Sequence, residues 1–297
     1  MNNVKPILLL ILVFTACNNR DNQFDASGNF EATEIIVAAE ATGKIQKLDL
    51  QEGDRLASNQ RVGYIDSAQL YLSKLQLKEN KKAVLAGRPD IQTQIESTKK
   101  EIESTLIDKK RIENLVKGEV ATQQQLDDIN SKLSVLQARY AAQKSSLTTS
   151  TAALNEQSNA IDAQLAVLQD QIRRCVIINP AGGTVLTKYA EQYEVVTTGK
   201  AIYKLADLST MQLRAYISGN QLSSVKLGQA VKLMVDDIQG GTKTYEGLVE
   251  WVSDQAEFTP KTIQTKDERA NLVYAVKIRV KNDGSLKIGM YADVSFK

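Results

Sequence analysis

The sequence contains no histidine among its 297 residues, and it has only two cysteines and four prolines. Histidine is the commonest general base and metal ligand, so its absence removes the usual centre of acid–base catalysis and of zinc binding. Two cysteines alone cannot complete a structural zinc site. Neither a glycine-rich phosphate loop nor a Gly-x-Ser-x-Gly nucleophile motif is present. The sequence therefore predicts no enzyme, no catalytic residue, no metal site and no bound cofactor.

The sequence also lacks a marked excess of either positive or negative charge. Lysine and arginine total 37 residues and aspartate and glutamate 35, so the formal net charge is only +2. Proteins that bind DNA or RNA usually show a clear basic excess, so nucleic acid is not an expected partner. The hydrophobic fraction of 42% is typical of globular proteins. The length allows two domains or more.

The N-terminal region has no apolar run long enough to span a bilayer. Lys5 precedes the apolar segment Pro6–Ala16, which is shorter than the roughly 20 residues that a ~30 Å hydrocarbon core requires. A basic residue followed by a short apolar run is typical of a signal peptide, here expected over residues 1–16.

The end of this segment indicates a lipid anchor. Phe14-Thr15-Ala16-Cys17 resembles a bacterial lipobox, although leucine is usual where Phe14 stands. The resemblance implies that Cys17 becomes the lipidated first residue of the mature protein, followed by a polar tether over residues 17–29. The alternative is an ordinary secretory signal in which Cys17 is incidental.

One long segment, Thr122–Arg174, contains neither proline nor glycine. Large side chains recur in it every seven residues, at Leu126, Leu133, Tyr140, Leu147, Leu154, Ile161 and Leu168. Ile129 and Leu136 fall three residues after the first two of these, which gives the a/d pattern of a coiled coil. A helix of about 50 residues is roughly 75 Å long, so it needs a long partner helix.

A weaker heptad row precedes this segment and supplies the partner. Its members are Leu70, Leu77, Val84, Ile91, Thr98, Thr105 and Ile112, with a second row at Ile95, Ile102, Leu106, Leu115 and Val116. Pro89 predicts a kink or break, because proline lacks a backbone donor and clashes with the preceding turn. The two rows predict an antiparallel coiled-coil hairpin over residues 67–174.

The hairpin tip is expected at residues 117–122. Gly118 suits the C′ position after the first helix. Thr122 suits the N-cap of the second helix, with Gln125 three residues later as its capping-box partner.

An internal repeat encloses the hairpin. Ile35–Asp66, shifted by 140, superposes without gaps on the later segment around Ala181–Asp207. The two halves of the repeat are expected over residues 30–66 and 175–207. The matched pairs are Val37 with Ile177, Gly43 with Gly183, Ile45 with Val185, Leu56 with Val196, Val62 with Ile202 and Ile65 with Leu205. Tyr193 stands where the first half has Gly53, and Asn59 stands where the second half has Gly199. Because tyrosine tolerates positive φ poorly, the second turn is expected to differ from the first.

These half-motifs resemble the biotinyl/lipoyl domain, a flattened β-sandwich of two similar halves. In the carrier proteins, the modified lysine lies on a tight hairpin between the halves. Here the helical insertion that begins at Ser67 occupies that position. This argues against a carrier function.

The C-terminal third alternates apolar and polar residues in short segments separated by turns. The segments are Met211–Ile217, Ala230–Val235, Tyr245–Val252, Leu272–Val280 and Tyr291–Phe296. They predict a small antiparallel β-barrel over residues 208–297. Gly289–Val294 resembles the last barrel strand of membrane fusion adaptors. Glu257–Lys261 with Thr265–Asn271 resembles a loop of adaptors that serve ABC-type exporters.

A lipoyl-like domain split by an α-hairpin, after a lipobox, resembles the HlyD-type membrane fusion proteins, the periplasmic adaptors of tripartite efflux and secretion systems. The resemblance implies an elongated α+β fold: a split lipoyl-like β-sandwich (barrel-sandwich hybrid), an inserted coiled-coil hairpin, and a following β-barrel. In that family the hairpin tip carries an arginine, a leucine four residues later and a serine seven residues after that. Arg111, Leu115 and Thr122 fall at this spacing, with threonine replacing serine.

The same resemblance implies the partners. Arg111, Leu115 and Thr122 would bind a TolC-type outer-membrane channel, and an inner-membrane transporter, ABC-type rather than RND-type, would bind the other end. A homo-oligomer, a hexamer in the family, would sit in the periplasm, anchored to the inner membrane through Cys17. It would link exporter to channel for efflux or secretion of small molecules or macromolecules. A structural coiled-coil envelope lipoprotein and a lipoyl- or biotin-type carrier remain as alternatives.

Overall fold

The computed structural model describes residues 24–236, 241–258 and 272–296. The predicted signal peptide, Cys17, the first part of the predicted tether and the segment 265–271 lie outside the described residues. The described chain forms a sandwich of short strands, a long helical hairpin and a β-barrel. None of the helices in these ranges is long and apolar enough to cross a membrane.

Eight short strands form the sandwich. They are β2 (Glu34–Ala38), β3 (Gly43–Leu48), β4 (Arg55–Leu56), β5 (Arg61–Ile65), β6 (Val176–Ile178), β7 (Gly183–Lys188), β8 (Val195–Val196) and β9 (Ala201–Ala206). One sheet has the order β2-β9-β7-β4 and the other the order β6-β5-β3-β8. Each sheet therefore takes two strands from each half of the repeat.

The core of the sandwich follows the repeat. The apolar residues of the predicted pairs are all buried: Val37, Ile45, Leu56, Val62 and Ile65 from the first half, and Ile177, Val185, Val196, Ile202 and Leu205 from the second. Buried apolar positions that recur at a fixed spacing are what two copies of one structural unit require. The predicted fold class is confirmed.

The turns of the two halves also correspond. Gly53 has φ 92° and Tyr193 has φ 73°, while Asn59 has φ 60° and Gly199 has φ 89°. The expectation that the second turn would differ is therefore wrong. The Tyr193 N–H donates to the carbonyl of Ile45 at 2.8 Å. This bond between the halves holds a backbone conformation that tyrosine rarely adopts.

A buried polar pair, Asn179 and Tyr203, has no counterpart in the first half. Both residues are fully buried, and the Tyr203 hydroxyl donates to Asn179 Oδ1 at 3.1 Å. Asn179 Nδ2 donates to the carbonyls of Ala57 at 2.8 Å and Ala181 at 2.6 Å. The pair thereby ties the chain that leaves the hairpin to a turn of the first half.

Tyr203→Phe should destabilise the protein and change its response to alkali. Burial raises the pKa of Tyr203 to about 12, against about 10 in an unfolded chain. The contribution of the neutral Tyr203 side chain to the free energy of unfolding is therefore complete below about pH 10. It is lost as the pH rises towards about 12, and the free energy of unfolding falls by up to about 1.4 kcal/mol per pH unit. Removing the hydroxyl should cost about 1–3 kcal/mol at neutral pH, because Asn179 Oδ1 loses its donor, and should flatten this alkaline decline.

Urea unfolding at a series of pH values measures both effects. Tyr189→Phe is the matched control, since Tyr189 is 42% exposed. An alkaline decline in the Tyr203→Phe protein equal to that of the wild type would contradict the role assigned to the hydroxyl.

Three helices form the hairpin: α1 (Ala68–Ala86), α2 (Ile91–Lys117) and α3 (Gln123–Arg174). The break predicted at Pro89 is present. Asp90 caps the new helix, its carboxylate accepting from the N–H of Thr93 at 3.2 Å. With 52 residues, α3 is roughly 78 Å long, and α1 and α2 lie along it in succession.

The seam between the helices contains fewer large apolar residues than the heptads predict. Its fully buried members are Ile95, Thr98 and Thr105 on α2, and Leu133, Leu136, Ser158 and Ile161 on α3. The Thr98 hydroxyl donates to Gln143 Oε1 at 3.3 Å, and Gln143 Nε2 donates to the Gln94 carbonyl at 2.9 Å. Leu106 and Leu115 were predicted in the second row, but they are 44% and 40% exposed. The seam thus combines apolar packing with a polar layer that favours one register.

Seven strands form the remaining sheet: β1 (Ala26–Glu31), β10 (Thr210–Ser218), β11 (Ala230–Asp236), β12 (Thr242–Val252), β13 (Glu257–Phe258), β14 (Leu272–Lys281) and β15 (Tyr291–Ser295). Six of them close a barrel in the order β10-β1-β15-β11-β12-β14, because β14 pairs again with β10, and β13 is added to β14. Fully buried Phe30, Met211, Leu213, Leu233 and Ile278 lie in its core.

The position of β1 corrects two predicted boundaries. The tether was expected over residues 17–29 and the lipoyl-like half from residue 30, but Ala26–Glu31 is a barrel strand between β10 and β15. Gly28 allows this close packing, since a Cβ there would lie 2.1 Å from the Arg214 carbonyl oxygen. Phe30 is the one large apolar residue in the strand, so the sequence pattern does not resemble a strand.

Candidate functional site: the hairpin tip

At the hairpin tip, helix α2 ends in a tight turn that is closed by backbone hydrogen bonds. The Glu119 N–H donates to the Val116 carbonyl at 3.0 Å, and the Val120 N–H donates to the Leu115 carbonyl at 2.9 Å. This is a Schellman motif, in which the C′ residue is left-handed. Glu119 is that residue, with φ 54°, whereas Gly118, predicted at C′, is the C-cap with φ −92°. The tip therefore has one defined backbone conformation.

Thr122 begins the second helix as predicted. Its hydroxyl oxygen accepts from the Gln125 N–H at 3.3 Å, and Gln125 Oε1 accepts from the Thr122 N–H at 3.0 Å. Both bonds of the capping box are present. The hydroxyl hydrogen of Thr122 is not used in the box, and the residue is exposed. Thr122 can therefore cap the helix and still donate a hydrogen bond to a partner.

Substitutions at Thr122 can separate these two roles. Thr122→Ala should weaken the start of α3 by about 1 kcal/mol, because the Gln125 N–H loses its acceptor. Thr122→Ser should keep both the cap and the donor. Hydrogen exchange at the amides of residues 123–126 measures the effect, and faster exchange in the serine variant than in the alanine variant would contradict this assignment.

Arg111 lies one helical turn before Leu115 on the same face of α2. Its guanidinium is 3.1 Å from Asp108 Oδ1, and its side chain is 68% exposed. Exposed ion pairs within a helix contribute little to stability, so the guanidinium can leave Asp108 at little cost. Arg111 is thus free to offer a bidentate donor to a carboxylate or carbonyl of another molecule.

An open groove of about 440 Å³ lies at the tip between the two helices. It is lined by Ile112, Leu115, Val120, Ala121, Gln125, Asp128, Ile129 and Lys132. Leu115 is 40% and Val120 is 77% exposed. The lining therefore combines apolar side chains from both arms of the hairpin with the polar side chains of Gln125, Asp128 and Lys132 on α3.

The structure brings part of the predicted set together. Leu115 lines the groove, while Arg111 and Thr122 lie outside its lining. Val120 was missed, although an isolated apolar residue in a polar tip segment was a signal in the sequence. The heptad pattern placed Ile112 in the seam, whereas the structure shows that it lines the groove.

Two other sequence features lie at the sandwich end of the hairpin. Where a carrier would have its lysine, Asp66 Oδ1 accepts from the Ala68 N–H at 2.9 Å, and this bond holds the pKa of Asp66 below its usual value. Cys175 is 2% exposed, and burial raises the pKa of its thiol. Across the described ranges, no cluster of three or more His, Cys, Asp or Glu side chains is placed to hold a metal ion.

Sequence relatives extend over the whole chain. No protein-family model matches it. UPF0194 membrane protein YE2891 of Yersinia enterocolitica is 26% identical over 331 aligned residues, which cover 100% of this chain and 99% of the relative. A UPF0194 membrane protein of Citrobacter koseri is 27% identical over 300 residues, covering 94% and 90%.

Solved structures with the same fold are membrane fusion proteins and their relatives. MacA from Actinobacillus actinomycetemcomitans superposes with a TM-score of 0.54 at 21% identity, covering 91% of this chain and 76% of its own. The membrane fusion protein Spr0693 of Streptococcus pneumoniae superposes with a TM-score of 0.51 at 15% identity, covering 91% and 96%. The predicted resemblance to the HlyD-type membrane fusion proteins is therefore confirmed, and this chain has the fold of that family.

Proposed function

We propose that this protein is a periplasmic adaptor that links an inner-membrane exporter to a TolC-type outer-membrane channel. The observation that carries the proposal is the hairpin. A helix of 52 residues holds a structured tip roughly 78 Å from the sandwich. A rod of this length can reach from one membrane towards a second membrane.

The tip supplies the chemistry for docking. Arg111 offers a guanidinium held only by an exposed ion pair, and Leu115 and Val120 offer apolar contact at the groove. Channel helix ends present carbonyl oxygens and carboxylates, which a guanidinium binds well. Thr122 adds a hydroxyl donor beside them.

The opposite end of the molecule is assigned to the inner membrane. Lipidation of Cys17 would place the anchor a few residues before β1, which lies in the barrel wall. The barrel and sandwich would then face the exporter. An ABC-type exporter is favoured by the resemblance of the segment at Glu257, most of which lies beyond the described ranges.

Several copies would form the conduit, six if the family pattern holds. The hairpin exposes large apolar side chains away from its own seam, at Tyr71, Leu72, Leu75, Ile107, Val135 and Val167. Exposed apolar residues along a rod are expected where neighbouring copies pack side by side. In this assembly the exporter supplies the energy and the adaptor supplies the path, so the protein itself catalyses no reaction.

A photo-cross-linking residue at Val120 tests the proposal. Val120 is 77% exposed at the tip, and Val135, 67% exposed on the shaft of α3, is the matched control. In a Gram-negative host, cross-linking from position 120 should capture an outer-membrane channel, identified by mass spectrometry. Cross-linking from position 135 should capture mainly a second copy of this chain.

The same experiment distinguishes the alternatives. A structural envelope lipoprotein would give no channel adduct from position 120. An adduct with an inner-membrane protein from position 120 would reverse the assigned direction of the hairpin. A carrier would show a mass increase from an attached biotin or lipoyl group on a lysine.

A further inference from the structure

One end of the barrel, which we call the basal rim, carries exposed apolar side chains at the start of β1. The basal rim comprises Phe24, Asp25, Gln221, Lys226, Leu227 and Phe296. Residue pairing places them together: Ala26 at the start of β1 lies opposite Val294 near the end of β15, and Ser27 lies opposite Tyr216 near the end of β10. Leu227 is 69% and Phe24 is 37% exposed.

Hydrogen bonds hold the basal rim as one unit. Gln221 Nε2 donates to the Asp25 carbonyl at 2.6 Å, and the Phe296 N–H donates to Asp25 Oδ2 at 2.9 Å. Gln229 Nε2 donates to the Phe296 carbonyl at 2.9 Å, and Gln229 Oε1 accepts from the Lys226 N–H at 2.9 Å. Leu227 therefore projects from a loop that is fixed to the start of β1.

The length of chain before the rim limits what can cover it. Phe24 follows Cys17 by seven positions, so even a fully extended chain between them spans at most about 25 Å. If Cys17 is lipidated, as the proposed function requires, the rim lies within that distance of the bilayer. The opposite end of the barrel is separated from Phe24, and so from the anchor, by the additional length of the strands.

We propose that the basal rim rests on the lipid surface, with the side chains of Phe24 and Leu227 at the level of the headgroups and Lys226 beside anionic lipid phosphates. An exposed aromatic residue, an exposed leucine and a neighbouring lysine are the combination that favours an interface between water and hydrocarbon. The anchor and the rim would together fix the tilt of the barrel, which one flexible lipid attachment cannot do.

Fluorescence quenching by lipid tests this proposal. The full-length protein is produced with Leu227→Cys, labelled with a small thiol-reactive fluorophore, and reconstituted through its own anchor. The vesicles contain phosphatidylethanolamine, phosphatidylglycerol and brominated phosphatidylcholine. Cys175 is 2% exposed, so the label enters the introduced cysteine. Lys226→Cys repeats the measurement from the adjacent position.

Tyr291→Cys provides the matched control. Tyr291 is 81% exposed and lies opposite Asn29, away from the rim. The labels at positions 226 and 227 should lose most of their fluorescence in brominated vesicles, whereas the label at position 291 should keep it. Equal quenching at all three positions, or none at any of them, overturns the proposal.

Two further measurements, vesicle flotation and the mass of the N-terminal peptide, show whether the protein is lipidated and bound to the membrane. They distinguish failure of this inference from failure of the proposed function. Protein that floats with the vesicles and carries a lipid on Cys17, but whose rim labels are not quenched, overturns the inference alone. Protein without lipid on Cys17 that does not float removes the anchor and the inference together. If the rim labels are shielded only in native membranes that contain the exporter, the rim is a protein contact and the inference is wrong.

Discussion

Arg111→Asp should abolish capture of the outer-membrane channel and leave the adaptor folded. The Arg111 side chain is 68% exposed and pairs with Asp108 on its own helix, so we expect the fold to tolerate its loss. Replacing it with a carboxylate removes a bidentate donor and places a like charge opposite the channel's acceptors. We expect channel binding to fall by tenfold or more, because charge reversal inside an interface leaves the partner's groups unpaired.

Arg139→Asp is the control for this variant. Arg139 is exposed on α3, away from the tip. Both variants should melt within about 2 °C of the wild type, as exposed substitutions usually do. Channel capture from position 120, measured in the same cells, should fail only in Arg111→Asp. Equal capture in the two variants would remove Arg111 from the docking site.

Ile161→Asp should separate α3 from α1. Ile161 is 6% exposed in the seam, close to the ion pair between Lys81 and Asp162 at 2.6 Å. A carboxylate there is buried without a partner, which should cost about 3–5 kcal/mol. Threonine and serine already occupy part of the seam, so few apolar contacts remain to hold the helices together once Ile161 is replaced.

Val167→Asp tests whether the effect comes from the seam. Val167 lies on the same helix and is 59% exposed. Far-ultraviolet circular dichroism should show lower helicity and an earlier thermal transition for Ile161→Asp alone. Hydrogen exchange should show lost protection in α1 and α3 with the barrel unchanged. A wild-type transition in Ile161→Asp would mean that the two helices are not held by this seam.

The elements that the sequence predicts are those whose signals are local or repeated. Heptads predict the hairpin because a helix displays every third or fourth residue on one face. The shift of 140 predicts the sandwich because the same positions are buried in each half. Thr122 and Gln125 predict their capping box because both bonds lie within one helical turn.

The features that the sequence does not predict depend on distant contacts. Strand β1 has one large apolar residue and becomes a strand only because β10 and β15 flank it. Tyr193 adopts positive φ because its N–H donates to the carbonyl of Ile45 in the other half of the sandwich. Glu119 is an exception to the distant contacts, since its positive φ belongs to the local Schellman turn at the hairpin tip. Val120 belongs to the tip groove through the Schellman turn, which no heptad describes.

The two sheets of the sandwich, each built from both halves of the repeat, constrain the order in which the chain folds. Strands β5 and β6 pair directly, yet about 110 residues separate them in the chain. Closing an unstructured loop of that length would cost roughly 4 kcal/mol in chain entropy. A hairpin that forms from local contacts would bring these two ends together before the sandwich strands pair, and would thereby lower this cost.

The barrel can close only after the hairpin and the sandwich strands have been synthesised, because its last strand follows them in the chain. Strand β1 pairs on one side with β15, which comes last among the described strands, so that side of β1 stays unpaired until β15 has been synthesised. A nascent chain therefore exposes an open barrel edge until its last strand is available. Such an edge can pair with a strand of another chain, so the chain is most prone to aggregate before β15 pairs with β1.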